Sequence, residues 1–314
     1  MKRTLALLAA LASAGAISAS AAYPERPVKL IVPWAAGGDT DVVYRAFQAV
    51  LQKHLGNTVV IANVGGASGT KGAKEAKDSA ADGYTILAIH DSIHSTYYTG
   101  VADVAWSDFQ PICLVASTPS ILTSSPKSPW KDAKAMLADA KARPGQLTVG
   151  ASLGSTSHFF PALIEKGAGV KFKYVAYDGT APRMNALLGS HIDMAESNLT
   201  QKGKADAGQM RFLAIATEKR NPAVPDVPTL KELGINVTYA VNRGLVAPKA
   251  TPADVMAKLQ SACAEAAKEP AFAEAMTKQG TLVNFLGPKE YTGFLKENDK
   301  VNQDLAKDLG MLKR

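Results

Sequence analysis

Between Val28 and Arg45 the chain reads VKLIVPWAAGGDTDVVYR: an apolar run ending in Pro33 and Trp34, a small-residue turn around Gly37 and Gly38, and a helical pattern opened by Asp39-Thr40-Asp41. This order predicts a buried strand, a tight turn and a helix N-terminus. The N–H groups of a first helical turn have no carbonyl of their own helix to pair with, and together with the helix dipole they favour an anion. Gly37 and Gly38 allow a ligand to approach the backbone closely. The stretch is neither the GxGxxG of dinucleotide sites nor a phosphate loop, because no Lys-Ser/Thr pair follows the glycines. An ordinary strand-to-helix turn, capped by Asp39 or Thr40, accounts for the same residues.

A second segment repeats the pattern. In LTVGASLGSTSH, residues 147–158, a strand feeds glycines and then Ser155, Thr156 and Ser157 at a helix start. Hydroxyls beside unpaired N–H groups suit a carboxylate, although helix capping takes at least one of them. Gly150-Ala151-Ser152-Leu153-Gly154 also satisfies G-x-S-x-G, and Asp178 followed by His191 would complete the acid and base of a serine hydrolase. His191 lies in a helix-to-strand turn, Gly189 to Asp193, so hydrolysis is the weaker alternative and no catalytic residue is assigned. His90, Asp91 and His94 are spaced like metal ligands, but no fourth ligand stands near them and no metal is assigned. They follow the strand pattern Thr85–Ile89, at the end where α/β proteins bind ligands, which makes His94 a ligand-contact candidate. Asn198, after the strand pattern Met194–Glu196, is another. Arg243 offers a bidentate contact to a second ligand carboxylate; an exposed arginine or an interdomain salt bridge is the plain alternative. Glu196, in a strand, needs a partner such as Arg183 or Arg243.

Strand patterns at Val28–Val32, Val59–Ala62, Thr85–Ile89, Ile112–Ala116, Ile121–Thr123, Thr148–Ala151, Lys173–Ala176, Met194–Glu196, Arg211–Ala216 and Gly244–Ala247 alternate with helix patterns. The helices are expected over 40–55, 69–78, 131–143, 157–167, 181–188, 252–268, 270–279 and 288–309. Alternation of this kind predicts an α/β fold with parallel sheets. The break at Pro126–Trp130 predicts two domains. Lys2 and Arg3, the apolar stretch Thr4 to Ile17 and the small residues Ala19-Ser20-Ala21 read as a signal peptide over residues 1–22, giving an exported chain. The formal charge of +7 drops by two, to +5, without Lys2 and Arg3. No basic stripe with interleaved aromatics is present, which argues against nucleic acid as a partner. Cys113 and Cys263 are the two cysteines; an oxidising compartment permits a bridge between them, and two buried thiols are the alternative.

The ordered set of segments resembles the solute-binding proteins of tripartite tricarboxylate transporters, the Bug family. It comprises Tyr23-Pro24-Glu25-Arg26-Pro27, Pro33-Trp34-Ala35-Ala36-Gly37-Gly38 with Asp41, and Asp82-Gly83-Tyr84-Thr85. Then come Pro144-Gly145-Gln146-Leu147, Gly154 to His158, and Tyr177-x-Gly179-x-Ala181-Pro182 with Leu188-Gly189 and Ile192-Asp193. Pro225 to Thr229 and Gly244 to Pro248 close the series. The resemblance implies a two-domain periplasmic binding protein fold with two crossing hinge strands, type II-like. The domains would comprise residues 23–118 plus 244–314 and residues 119–243. It implies that the two glycine loops face each other across the cleft and hold one ligand carboxylate, with Trp34, Ala36, Gly37, Gly38, Ser155, Thr156, Ser157 and Tyr177 in the site and Asp41 positioning water or the loop. It implies a monomeric periplasmic protein without cofactor that captures a small organic carboxylate, a di- or tricarboxylate favoured, for membrane-embedded transporter subunits. A ligand sensor for a two-component system is the alternative use of the same fold.

Overall fold

The computed structural model describes residues 23–314. The expected signal peptide lies outside the described residues. The chain begins β1 (Val28–Val32), α1 (Asp39–Leu55), β2 (Val59–Asn63), α2 (Thr70–Lys77), β3 (Thr85–His90) and α3 (Ser92–Tyr98). It continues through β4 (Phe109–Pro119), β5 (Ile121–Ser124), α4 (Ala133–Ala142), β6 (Thr148–Ala151) and α5 (Thr156–Ala168). Next come β7 (Lys173–Ala176), α6 (Thr180–Leu188), β8 (Met194–Ser197), α7 (Lys202–Asp206) and β9 (Arg211–Ile215). The last elements are β10 (Ala240–Pro248), α8 (Ala253–Ala267), α9 (Pro270–Lys278), β11 (Leu282–Leu286) and α10 (Pro288–Asp308).

These strands make two sheets, a six-stranded one in the order β11-β4-β10-β3-β1-β2 and a five-stranded one in the order β7-β6-β8-β5-β9. Both are mixed, where parallel sheets were expected. β1 pairs in parallel with β2 and β3, but β10 runs antiparallel to β3 and β4, and β5 antiparallel to β8 and β9. The reversed strands flank the passages between the sheets. The chain leaves β4 through Ser120 into β5 and re-enters β10 after Tyr239, whose carbonyl accepts the Ser120 N–H at 3.0 Å. β10 starts at Ala240, so residues 240–243 already belong to the six-stranded sheet, slightly before the expected boundary at 244.

The strands of the six-stranded sheet are apolar on both faces because helices cover both. Leu30, Ile86, Ala88, Cys113 and Leu245 pack with Val43 and Phe47 of α1 and Leu259 of α8. Their alternates Ile31, Leu87, Leu114 and Val246 pack with Ala73 of α2 and Leu295 of α10. The five-stranded sheet has its own core, with Phe160 and Ile164 of α5 on Val149 and Met194. Each sheet with its helices forms one lobe. A disulfide joins Cys113 of β4 to Cys263 of α8, tying two points 150 residues apart. Closing so long a loop covalently stabilises a fold by about 2–4 kcal/mol, mainly by restricting the unfolded chain.

Candidate ligand-binding site between the lobes

Three helix N-termini converge between the lobes. α1 contributes Asp39 and Thr40, α5 contributes Ser155, Thr156 and Ser157, and α6 contributes Thr180 with Gly179 before it. They surround a small polar chamber. Each helix starts there for a local reason. α1 begins after Gly38, which has no Cβ to meet the Ala35 carbonyl oxygen at 3.2 Å or the Ala181 nitrogen of the opposite lobe at 3.7 Å. α5 is capped by Ser155, whose Oγ accepts the Ser157 N–H and donates to the Ser152 carbonyl at 2.7 Å. Gly154 before it has φ +77° and presses against Thr99 of the other lobe, where a Cβ would lie 2.5 Å from the threonine hydroxyl. The lobes therefore touch closely at both loops.

Two buried ion pairs cross the chamber floor. Arg243 Nη2 donates to Asp39 Oδ2 at 2.5 Å, and Arg183 Nη2 donates to Glu196 Oε2 at 2.7 Å. Asp39 is saturated: Oδ1 accepts from the Thr180 hydroxyl at 2.5 Å and Oδ2 also accepts from Asn198 Nδ2 at 2.8 Å. Arg243 is fully buried and is held further by the Thr118 and Thr40 hydroxyls and the Val241 carbonyl. Burial pushes the Asp39 carboxyl up, but Arg243, the Thr180 hydroxyl and Arg183 together keep it below the ordinary carboxylate range. Glu196 goes the other way: burial, opposed by Arg183 and reinforced by Asp39, raises it to about 7. His90 stacks on Trp34 with ring centroids 5.0 Å apart. Burial and the neighbouring Arg243 lower it to about 3, so the imidazole is neutral. Its Nδ1 accepts the Ser92 N–H at 3.2 Å, which leaves the proton on Nε2.

The residues expected from the sequence fall into three groups. Trp34, Ser155, Thr156, Ser157 and Arg243 line the chamber, and Asn198 reaches it through Asp39. Asp41 shapes the first loop from behind, accepting the Gly37 N–H at 2.9 Å and bonding Arg45 and Asn63; Ala36 and Gly37 themselves are exposed on the outer side of that turn. Gly38 packs on α6, and Tyr177 lines an outer groove with Leu153 and Asp178. His94 lies elsewhere. One turn beyond the end of β3, it is carried into α3, where it is buried and its Nδ1 stands 2.9 Å from Asp299 Oδ1 of α10. His90, the strand's last residue, lines the chamber instead. The two glycine loops do meet at the chamber, but each touches a different partner across the lobes. The first faces Gly179–Ala181 and the second faces Ser92, whose Oγ is 3.3 Å from Thr156 Oγ1.

Asp39, Thr180 and His90 also line the chamber, and none of them was a binding candidate from the sequence. Asp39 was legible only as a possible helix cap, since its charged partner is 204 positions away. Glu196 finds the expected Arg183. The hydrolase alternative fails on geometry: Ser152 Oγ donates to the Tyr177 carbonyl at 2.8 Å and accepts the Gly179 N–H at 2.9 Å, so both its bonds go to backbone. His90, Asp91 and His94 diverge, with Asp91 bonded to Asn242 and Asn298.

The sequence model described as tripartite tricarboxylate transporter family receptor matches residues 43–311. The chain belongs to this family. Among curated relatives, protein BugT of Bordetella pertussis is 31% identical over 305 residues, covering 94% of each chain. The solved periplasmic binding protein BugD superposes with a TM-score of 0.88 at 32% identity, over 93% of this chain and 100% of that one. MatC from Rhodopseudomonas palustris, solved with bound malate, superposes with a TM-score of 0.84 at 29% identity, over 90% of this chain and 99% of that one. As a family receptor the chain is a solute-binding protein, not an enzyme, and its family implies membrane partners. The periplasmic binding protein fold expected from the sequence is the one observed, with mixed in place of parallel sheets.

Proposed function

We propose that the protein captures a small organic carboxylate in the chamber between its lobes and delivers it, as a periplasmic monomer, to membrane-embedded subunits of a tripartite transporter. The observation that carries this reading is the convergence of the N-termini of α1, α5 and α6 on one buried cavity. Each terminus presents N–H groups that lack a carbonyl partner in their own helix, and the positive end of a dipole, equivalent to roughly half a unit charge. Hydroxyls of Thr40, Ser155, Thr156 and Thr180 stand among them, and His90 adds a neutral Nε2–H donor. A carboxylate is the group that such donors match without a metal or a free lysine. The malate bound to MatC supports the ligand class.

The two lobes, one built on the six-stranded sheet and the other on the five-stranded sheet, close on the ligand about the paired passages at Ser120 and Tyr239. The expected preference for a di- or tricarboxylate is supported by relatives solved with malate and with adipate, both dicarboxylates, while Arg243, paired with Asp39, does not by itself offer the second anion site. Native purification followed by mass spectrometry of released small molecules, then calorimetry with the stripped protein, tests the proposal. A carboxylic acid is expected in the released fraction, rebinding with a 1:1 stoichiometry. A strongly bound ligand without a carboxyl group would sink the proposal.

A further inference from the structure

The two arginines of the chamber are held differently. Every nitrogen of the Arg243 guanidinium has an acceptor: Nε the Thr40 hydroxyl, Nη1 the Thr118 hydroxyl and the Val241 carbonyl, and Nη2 Asp39. Arg183 is also buried, at 2% exposure, but is engaged only in part. Its Nε donates to the Glu196 backbone carbonyl at 3.2 Å, and its Nη2 to Glu196 Oε2 at 2.7 Å and to the Thr180 hydroxyl at 3.4 Å. Its Nη1, which carries two N–H groups, has no acceptor among the described residues. A guanidinium has five N–H donors, and leaving one unmade on so buried a side chain is costly.

The carboxyl groups that face the two arginines differ as well. Asp39 is held below the ordinary carboxylate range, so it stays ionised and compensates Arg243. Glu196 is raised to about 7, so in mildly acidic solution it is mostly a neutral acid. The groups that face it are Arg183 of α6, Asp39 of α1, Arg243 of β10 and the Ser120 hydroxyl, with Tyr239 nearby as an un-ionised phenol and His90 as a neutral imidazole across the chamber. With Glu196 protonated, the two arginines and Asp39 leave one positive charge uncompensated, and it resides on Arg183. A buried charge of that kind favours an anion brought in from outside.

We infer that Arg183 is the second anion site of this receptor: one ligand carboxylate sits among the helix termini, and the other takes the open Nη1 edge of Arg183 beside Glu196. The inference rests on the carboxylate reading above and narrows it to a dicarboxylate. With the lobes in contact, the free space in the chamber holds about one water. Its walls come from both lobes, Asp39, His90 and Arg243 from one and Ser155, Thr180 and Arg183 from the other. A ligand therefore seats with the lobes farther apart than here, turned about the passages at Ser120 and Tyr239. Arg183 on α6 and Glu196 on β8 belong to the same lobe, so their pairing and the open Nη1 persist as the lobes separate.

Calorimetry on the stripped full chain decides it, with the linear dicarboxylates from succinate to adipate as probes, each against the monocarboxylate of equal carbon number. At about pH 6.5 the best dicarboxylate is expected to bind at least tenfold more tightly than its monocarboxylate, as a charge-assisted hydrogen bond implies. Arg183→Met should weaken that dicarboxylate at least tenfold and the monocarboxylate less than threefold. Arg183→Lys keeps a cation for Glu196 but lacks the second N–H edge; it covers the case in which Arg183→Met fails to fold, and should weaken the dicarboxylate at least threefold. Raising the pH to about 8.5 ionises Glu196 and compensates Arg183, which should cut the preference at least threefold in the natural chain and leave it unchanged in Glu196→Gln. A merely structural Arg183 would weaken both classes of acid together. A preference below tenfold at every chain length overturns the inference while leaving carboxylate capture in place, and so does an unchanged preference in a folded Arg183 variant. If none of these acids binds, the inference falls, and the carboxylate reading is then decided by the acid released on native purification.

Discussion

Glu196 and Asp39 share one buried space and are driven in opposite directions. Asp39 sits at the first position of α1, where the helix dipole favours an anion, and it has three donors of its own. Glu196 has Arg183 and the Ser120 hydroxyl, but burial outweighs them and its carboxyl is raised to about 7. The sign follows from linkage. A carboxyl whose folded pKa exceeds its unfolded value of 4.5 binds its proton more tightly in the folded state. Its contribution to stability is complete below about pH 4.5 and is lost as pH rises through about 7. Ionisation also adds a negative charge to the chamber proposed to hold the ligand carboxylate. Glu196→Gln keeps an acceptor for Arg183 and Ser120 but cannot titrate. Between pH 5 and pH 8 the natural chain should lose stability by about 1–3 kcal/mol relative to this variant, since a tenfold change in proton affinity is worth about 1.4 kcal/mol. Its carboxylate affinity should fall over the same interval while that of Glu196→Gln stays flat. Thermal midpoints and calorimetry at four pH values check both; parallel profiles in the two proteins would place the titration elsewhere.

At the level of elements, the strand-turn-helix units were readable and their partners were not. β1, β6 and β7 occupy the expected residues, and α1 differs from its expected start by one residue. β11 escaped because it is an edge strand with Leu282, Val283 and Phe285 exposed, joined to β4 through an irregular register, so its pattern is not that of a buried strand. α3 escaped because its seven residues, SIHSTYY, are nearly all polar or aromatic and yet mostly buried, held by α10 and the opposite lobe. The loop before α1 is where an element-scale change should act on function. Gly38→Val would put branched carbon against the Ala35 carbonyl and between the N-terminus of α6 and the loop. Carboxylate affinity should fall at least tenfold, with circular dichroism unchanged, because the clash at α6 exists only when the lobes meet. Undiminished affinity in a folded variant would exclude this loop from the site.

Across the whole molecule, lobe contact is built from polar groups near the chamber and an apolar seam beyond it. The Ser68 N–H donates to Asp178 Oδ1 at 3.0 Å and its hydroxyl to the Leu153 carbonyl at 2.9 Å. Further out, Phe159 of α5 packs with Tyr98 of α3 and Ala306 of α10. Only two neighbouring passages of chain between the sheets need to bend for these contacts to separate. The stripped protein should therefore show a larger radius of gyration in solution than the protein saturated with carboxylate, with a single-protomer mass in both. Identical scattering curves with and without ligand would rule out hinge closure.

The sequence alone determined the alternation of strands and helices, the two glycine-bearing helix starts and the family to which the chain belongs, because these depend on residues close together along the chain. Periodic burial, turn chemistry and N-terminal hydroxyls are local physics. The reversal of β10 and β5 within their sheets, the union of Cys113 with Cys263 and the replacement of His94 by His90 at the chamber depended on tertiary structure. So did the most consequential contact, Asp39 with Arg243. Whether an arginine is free to bind a ligand depends on which carboxylate the fold brings beside it, and here that carboxylate arrives from a helix 204 positions away.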